Sequence, residues 1–237
     1  MPHQLSFTAS ATVAEILISA PGRNALDRAG IIELRALFDE VLDHDEARTV
    51  IVSGADGDFC AGRIRDMSLV TKDAIATDLE PILAMNARLE SYPLPIIAAV
   101  EGVAFGFGFG LATLCDVTVA GEGATFALTE LAHGLPPLIV LSYFFRFVPY
   151  KVGLDLALTG REVDAKEALR LGLATSVCAN GGALSAARAV AGHIASVDGE
   201  AIRLLRRFAR DQAALTDPAA AANGADQIAA LLASKTH

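Results

Sequence analysis

The sequence predicts an α/β fold followed by a helical C-terminal region, and three observations carry that reading. Short, fully apolar, β-branched runs recur through the first half of the chain. Stretches with apolar residues at helical spacing separate them, which is the alternation expected of α/β architecture. From Leu138 onward, helical patterns follow one another with little between them.

In chain order, 14–19 reads as a strand rich in Ile and Leu, and a loop with Pro21 and Gly22 follows. Asp27 suits the N-cap of a helix whose apolar residues Ile31, Leu34, Phe38 and Val41 recur at helical spacing. Residues 49–53 form a β-branched run that reads as a buried strand, and the Gly and Asp residues of 54–58 make a loop. Residues 77–89 look helical and are stopped by Pro93 and Pro95. A fully apolar strand at 96–100 runs into Gly102, 111–114 fits a helix, and 117–120 is a third buried strand. The later helical patterns fall at 138–147, 153–159, 165–171, 183–196 and 200–212, and a short alanine-rich piece at 218–222 comes after them. No internal repeat is found.

The 237 residues fit one large domain, and 53% of them are apolar, which suffices for a sizeable core. A formal net charge of −9 repels phosphate backbones, so nucleic acid is not the expected partner. Arg203, Arg206, Arg207 and Arg210 recur at helical spacing; they read either as a solvated helix face or as an attractor for phosphates of an anionic ligand. Three widely spaced cysteines, Cys60, Cys115 and Cys178, give neither a disulfide framework nor a zinc site, and no metal is expected. No secretory leader and no membrane span is read, so a cytoplasmic location is expected.

The run Gly102-Val-Ala-Phe-Gly106-Phe-Gly108-Phe-Gly110 follows a strand and enters a helix. A dinucleotide fingerprint fails on spacing, because its third glycine position falls on Leu111 or Thr113. A P-loop is excluded because no Gly-Lys-Ser/Thr follows. Two readings stand for the glycines: tight helix-on-sheet packing, or a backbone cradle whose N–H groups meet a developing oxyanion. An earlier small-residue loop, Phe59-Cys60-Ala61-Gly62, also follows a buried strand, and two such loops can give one N–H each.

Taken together these residues resemble the crotonase (enoyl-CoA hydratase/isomerase) superfamily. The resemblance lies in Asn24-Ala25-Leu26 and in Phe59-Cys60-Ala61-Gly62 with Arg65-Asp66-Met67. It continues through 99–111 with Cys115-Asp116, through 124–137 with Glu130 and Gly134, and through Leu158-Thr159-Gly160-Arg161 with 165–173. Any one segment is weak; five in order carry the match from about Glu15 to Val177. The resemblance implies a crotonase (ClpP-like) fold of stacked ββα units with a C-terminal helical trimerisation region. It divides the chain into a core at 1–180 and a helical region at 181–237 that ends before the family's last helix. It further implies an acyl-CoA substrate whose coenzyme A is the only cofactor-like group, no membrane partner, and a homotrimer or homohexamer.

Carried over by position, the oxyanion N–H groups belong to Arg63 and Phe107. Arg23, Ala25, Cys60, Ala61, Gly62, Ile64, Gly106, Gly108 and Gly110 are implied to contact substrate or CoA. Arg63 reads as an exposed loop cation or as a partner of the thioester or the CoA phosphates. Of the two acids used by hydratases, the later aligns with Glu130 and the earlier with Gly110, which has no side chain. One carboxylate suffices to carry a proton between two carbons, so double-bond isomerisation is the favoured chemistry. A hydratase in which His133 or water assists Glu130 is the nearest alternative, and a non-catalytic acyl-CoA-binding scaffold is the alternative of another class. His133 otherwise reads as a rim residue, Asp116 as structural, and Asp66 as a neighbour of the pocket. Arg206, Arg207 or Lys235 would supply the CoA cation that the last helix carries elsewhere in the family. The apolar neighbours Phe126, Leu128, Leu131 and Leu135 should raise the Glu130 pKa by desolvation.

Overall fold

The structure is a computed structural model and describes residues 3–10 and 12–212. Lys235 and the alanine-rich 218–222 piece lie outside the described residues, as does the end of the 181–237 region.

The main sheet has the order β1-β2-β3-β4-β6-β9. Its strands are β1 (Ser6–Ser10), β2 (Val13–Ile18), β3 (Thr49–Gly54), β4 (Ile96–Val100), β6 (Val117–Gly121) and β9 (Ser176–Cys178). Only the β1–β2 pair is antiparallel; the others run parallel. Parallel strands need cover on both faces, and β3 and β4 are accordingly apolar at successive residues rather than alternating. Val50, Val52, Ile96, Ala98 and Val100 belong to the larger core. Ile51, Ile97, Ala99 and Val119 face the other way, under Ala183, Ala187 and Ala191 of α8 (Ala183–Ala195). Those alanines recur every four residues, so one smooth helix face lies against the sheet.

Asp27 caps α2 (Arg28–Val41) by accepting from Gly30 N at 2.8 Å, and Ile31, Leu34, Phe38 and Val41 are its buried face, as the periodicity predicts. The helix expected at 77–89 is longer. As α3 (Lys72–Ser91) it starts where Thr71 accepts from Ala74 N, and it carries Pro81 inside. Tyr92 then donates its hydroxyl to Phe38 O at 2.8 Å and packs its ring edge-on to Phe38, locking α3 to α2.

Corrections fall on the weaker signals. The helix expected at 111–114 begins at Phe107, as α4 (Phe107–Leu114); packing holds a glycine-rich turn helical against its propensity. The region after Leu138 is not purely helical. Besides α5 (Leu138–Phe144), α6 (Tyr150–Thr159), α7 (Ala165–Leu171), α8 and α9 (Gly199–Gln212), it contains β9 and the two-residue β8 (Val163–Asp164). With β5 (Val103–Phe105) and β7 (Thr125–Ala127), β8 forms a small second sheet of order β5-β7-β8 that no periodicity announced.

Two topological facts position the site. Strands β3 and β4 are adjacent and parallel, with Val52 opposite Ala98, so the chain leaves both at the same sheet edge. That is where α/β folds gather ligands. Strands β5 and β7 are parallel too, with Phe105 opposite Ala127, so Gly106–Phe107 and Leu128–Glu130 leave the small sheet at one end.

A left-handed turn, α1 (Pro21–Asn24), braces this edge; Gly22, Arg23 and Asn24 all have φ between 62° and 69°. Asn24 is buried, accepts from Ala20 N at 2.9 Å, and donates to Ala55 O at 2.8 Å and Asp58 O at 2.6 Å. Asn24→Ala removes all three bonds and leaves a non-glycine residue at positive φ without its compensating contacts. It is expected to cost about 2–4 kcal/mol, read as a lower urea midpoint at unchanged m-value.

Candidate active site

The loop after β3 turns back so tightly that a Cβ on Gly54 would fall well inside 3.0 Å of Asp58 O. It is stitched to the next strand by Phe59 N to Glu101 O, Cys60 N to Val103 O and Phe105 N to Cys60 O, each 2.9 Å. Leu26 N donates to Gly62 O at 2.9 Å and Ile64 N donates to Leu26 O at 2.8 Å, an isolated parallel bridge between Leu26 and Arg63. In such a bridge the bonded groups belong to the neighbours of Arg63, so the Arg63 N–H itself points away from Leu26. Phe107 opens α4, so its N–H has no partner within the helix and lies at the positive end of the helix dipole. The two loops touch: a Cβ on Gly62 would stand 4.0 Å from Phe107 N. Such a pair of converging donors can hold a carbonyl oxygen that gains negative charge.

Glycine is required for this approach. On Gly108 a Cβ would fall well inside 3.0 Å of Cys60 O, and Gly106, Gly62 and Gly102 have φ of 48°, 115° and 52°. The tight-packing reading of the glycine run therefore holds. That packing is what brings the two loops together.

Glu130 opens a 3-10 turn, Glu130–His133, three residues after β7. A Cβ on Gly106 would meet Glu130 Oε1 at 3.2 Å, which sets the carboxylate beside the residue preceding Phe107. Glu130 Oε2 is buried and has no hydrogen-bond partner. Burial is the main cause that raises the Glu130 pKa; its own backbone hydrogen bond and the His133 charge pull the other way. The desolvating neighbours are fewer than the sequence suggested, since Phe126 and Leu128 are buried while Leu131 and Leu135 face outward. His133 shares the turn with Glu130 but is exposed, on the rim.

Other sequence-derived positions are sorted by the geometry. Arg63 is neither an exposed cation nor free for phosphates: its side chain turns inward and pairs with the buried Asp78 of α3. Arg23 makes a two-pronged pair with Asp58, both bonds 2.8 Å, and this bond is the main cause that holds the Asp58 carboxyl below its usual range. Cys60 is fully buried and its thiol is pushed up to about 12, so it packs and does not react. Ala25 and Ala61 are half-buried beside the same loop, with Ala61 N donating to Arg23 O. Ile64 and Asp66 line a groove of about 730 Å³ between α2 and α3, whose other walls include Arg28, Ile32, Leu69 and Asp78. Arg206 is committed elsewhere: it donates to Asp116 Oδ2 and to the Leu89 and Tyr92 carbonyls that end α3, which removes it as a CoA cation. Asp116, also accepting from Ile96 N at 2.7 Å, is structural as expected. Arg207 is exposed. Among the described residues no cluster of three or more His, Cys, Asp or Glu side chains is arranged to hold a metal, and no helix is long and apolar enough to cross a membrane.

One residue that sequence reasoning missed stands at the site. Tyr143 of α5 puts its hydroxyl where a side chain on Gly110 would begin. Only a Tyr in a mostly apolar helix could have drawn attention to it.

Gly108→Ala forces the two loops apart and is expected to lower kcat/KM about 100-fold while far-UV circular dichroism stays native. Glu130→Gln tests the electrostatics separately. A raised folded pKa means that ionising Glu130 costs stability as pH rises through the unfolded value and on to the folded one. The variant should therefore melt higher than wild type at neutral pH, by about 2–4 °C, and the gain should vanish in acid, where both carry a neutral side chain.

A family model described as Enoyl-CoA hydratase/isomerase matches residues 8–236. A carnitinyl-CoA dehydratase of Proteus mirabilis is 32% identical over 213 residues, covering 89% of this chain and 81% of its own. Its Citrobacter koseri counterpart is 30% identical over 215 residues with the same coverage of each. Among solved structures, Pseudomonas aeruginosa AtuE matches with a TM-score of 0.89 at 28% identity, covering 97% of this chain and 91% of its own. Motifs, fold and relatives agree, and the chain belongs to the enoyl-CoA hydratase/isomerase family of the crotonase superfamily.

Proposed function

We propose that this chain moves a proton at the α-carbon of an acyl-CoA thioester, with double-bond isomerisation of an enoyl-CoA as the reaction. The observation that carries the reading is the desolvated Glu130 carboxylate beside Gly106, with no side chain at Gly110 to provide a second acid. In a 3-enoyl thioester the α-hydrogen lies between the carbonyl and the double bond. Glu130 takes it as a proton, and the electron pair left behind spreads onto the thioester oxygen. The Arg63 and Phe107 N–H groups hold that enolate oxygen. The same Glu130 returns its proton to the γ-carbon, the double bond closes into conjugation, and the carboxylate is regenerated. A raised pKa suits this work, because it narrows the gap between the base and the weak carbon acid.

Coenzyme A enters as part of the substrate, and the groove beside Ile64 is the proposed route for its pantetheine arm or for the acyl chain. We read the protein as a cytoplasmic homotrimer or homohexamer. The dehydratase names of the relatives support a second reading, in which the same base adds or removes water.

The test adds a 3-enoyl-CoA to purified protein and follows the absorbance of the conjugated thioester. Wild type should raise it, and Glu130→Gln should do so at least about 100-fold more slowly. The acid limb of kcat/KM should lie above the ordinary glutamate range, since the base works only when ionised and its pKa is raised. Unchanged turnover in Glu130→Gln would sink the assignment.

A further inference from the structure

The Tyr143 side chain is largely enclosed, at 5% exposure, and its hydroxyl lies directly over Gly110 of α4. Its placement is well fixed. Phe144, the next residue, packs edge-on to Phe109 with ring centroids 5.3 Å apart, which anchors α5 against α4. Val140 and Tyr143, three residues apart on α5, both face Gly110, and a Cβ there would fall well inside 3.0 Å of the Tyr143 hydroxyl oxygen.

Gly106 and Gly110 are four residues apart, joined by Gly110 N donating to Gly106 O at 2.9 Å. Gly106 is the N-cap of α4 and Gly110 lies in its first turn, so the two are joined across that turn. Glu130 closes over the first of them and Tyr143 over the second. The Glu130 carboxylate, whose Oε2 is buried and unpartnered, and the Tyr143 hydroxyl thus flank one short stretch of backbone beside the Phe107 N–H. The negative charge of Glu130 is also felt at Tyr143: with burial as the larger cause, it pushes the phenol above its ordinary range, so the phenol stays neutral.

Resting on the reading of Glu130 as base, we propose that Tyr143 stands in for the second acid that Gly110 lacks, and that in the water-adding reading it holds, together with Glu130, one oxygen atom at the third carbon of the acyl thioester. Tyr143 donates to one lone pair of a water molecule, and the water donates to Glu130. The other lone pair forms the C–O bond at the third carbon of a 2-enoyl thioester, and the displaced π pair moves through the second carbon onto the thioester oxygen. Glu130 takes the proton of the water and delivers it to the second carbon, where the enolate pair forms the C–H bond. One water is added, no other reactant is needed, and Tyr143 keeps its proton throughout. In reverse, the same hydroxyl steadies the departing oxygen of a 3-hydroxyacyl thioester.

The experiment compares two rates in wild type and Tyr143→Phe: loss of conjugated absorbance from a 2-enoyl-CoA, and its gain from a 3-enoyl-CoA. Both rates depend on Glu130 and on the two N–H groups, so damage to the fold lowers them together. Loss of the hydroxyl should lower the ratio of hydration to isomerisation about 10- to 100-fold. A ratio within about twofold of wild type, or no hydration by wild type, overturns the proposal. Glu130→Gln is run alongside: if it abolishes both reactions while Tyr143→Phe leaves the ratio alone, only the role of Tyr143 falls. If it retains both, the base assignment itself fails.

Discussion

Everything at this site depends on two stretches of backbone lying closer together than a side chain would allow. The loop after β3 and the turn from β5 into α4 touch at Gly108 and Cys60, and again at Gly62 and Phe107. Parallel pairing of β3 with β4 brings the loops to one edge, and the Leu26–Arg63 bridge fixes the rotation of the first. Only then does Gly62 come up against Phe107 N. The free energy comes from the core; the precision comes from the absence of atoms.

Much of this was legible in the sequence, and the division has a physical cause. Elements with strong local signals were readable: the Asp27 cap with its apolar stripe, the unbroken runs of β3, β4 and β6, and the alanine periodicity of α8. Ordered motifs singled out Glu130, Arg63 and Phe107 as candidates, because spacing along a chain is a sequence property. What stayed hidden is pairing between distant residues. The small β5-β7-β8 sheet has strands of two or three residues, too short to show a period. Arg206 looked like a ligand-binding cation until its acceptors, Asp116 and the end of α3, came into view. Arg63 likewise turns to Asp78, a carboxylate fifteen positions later on a helix whose start was misplaced by five residues. Tyr143 could not be read at all, since its meaning depends on facing a glycine on another helix.

Local and global preferences conflict most sharply where the chemistry is placed. Glu130 keeps one oxygen buried and unpartnered, and Tyr143 keeps its phenol largely enclosed beside it. The unpartnered oxygen is a cost to the folded state that the surrounding apolar packing offsets. The contrast with Arg23–Asp58 and Arg161–Glu167 is plain: those charges lie near the surface with their bonds satisfied, and they brace loops.

Presenting the donors through main chain has a consequence for divergence. Every residue except proline has an N–H, so positions 63 and 107 can exchange side chains without losing the group proposed to hold the oxyanion. Here they hold an arginine that ties into α3 and a phenylalanine that is almost wholly enclosed. A lineage can therefore reshape the walls around the acyl chain at the very residues that bear the chemistry. Innovation in substrate and retention of mechanism then occupy the same two positions without competing.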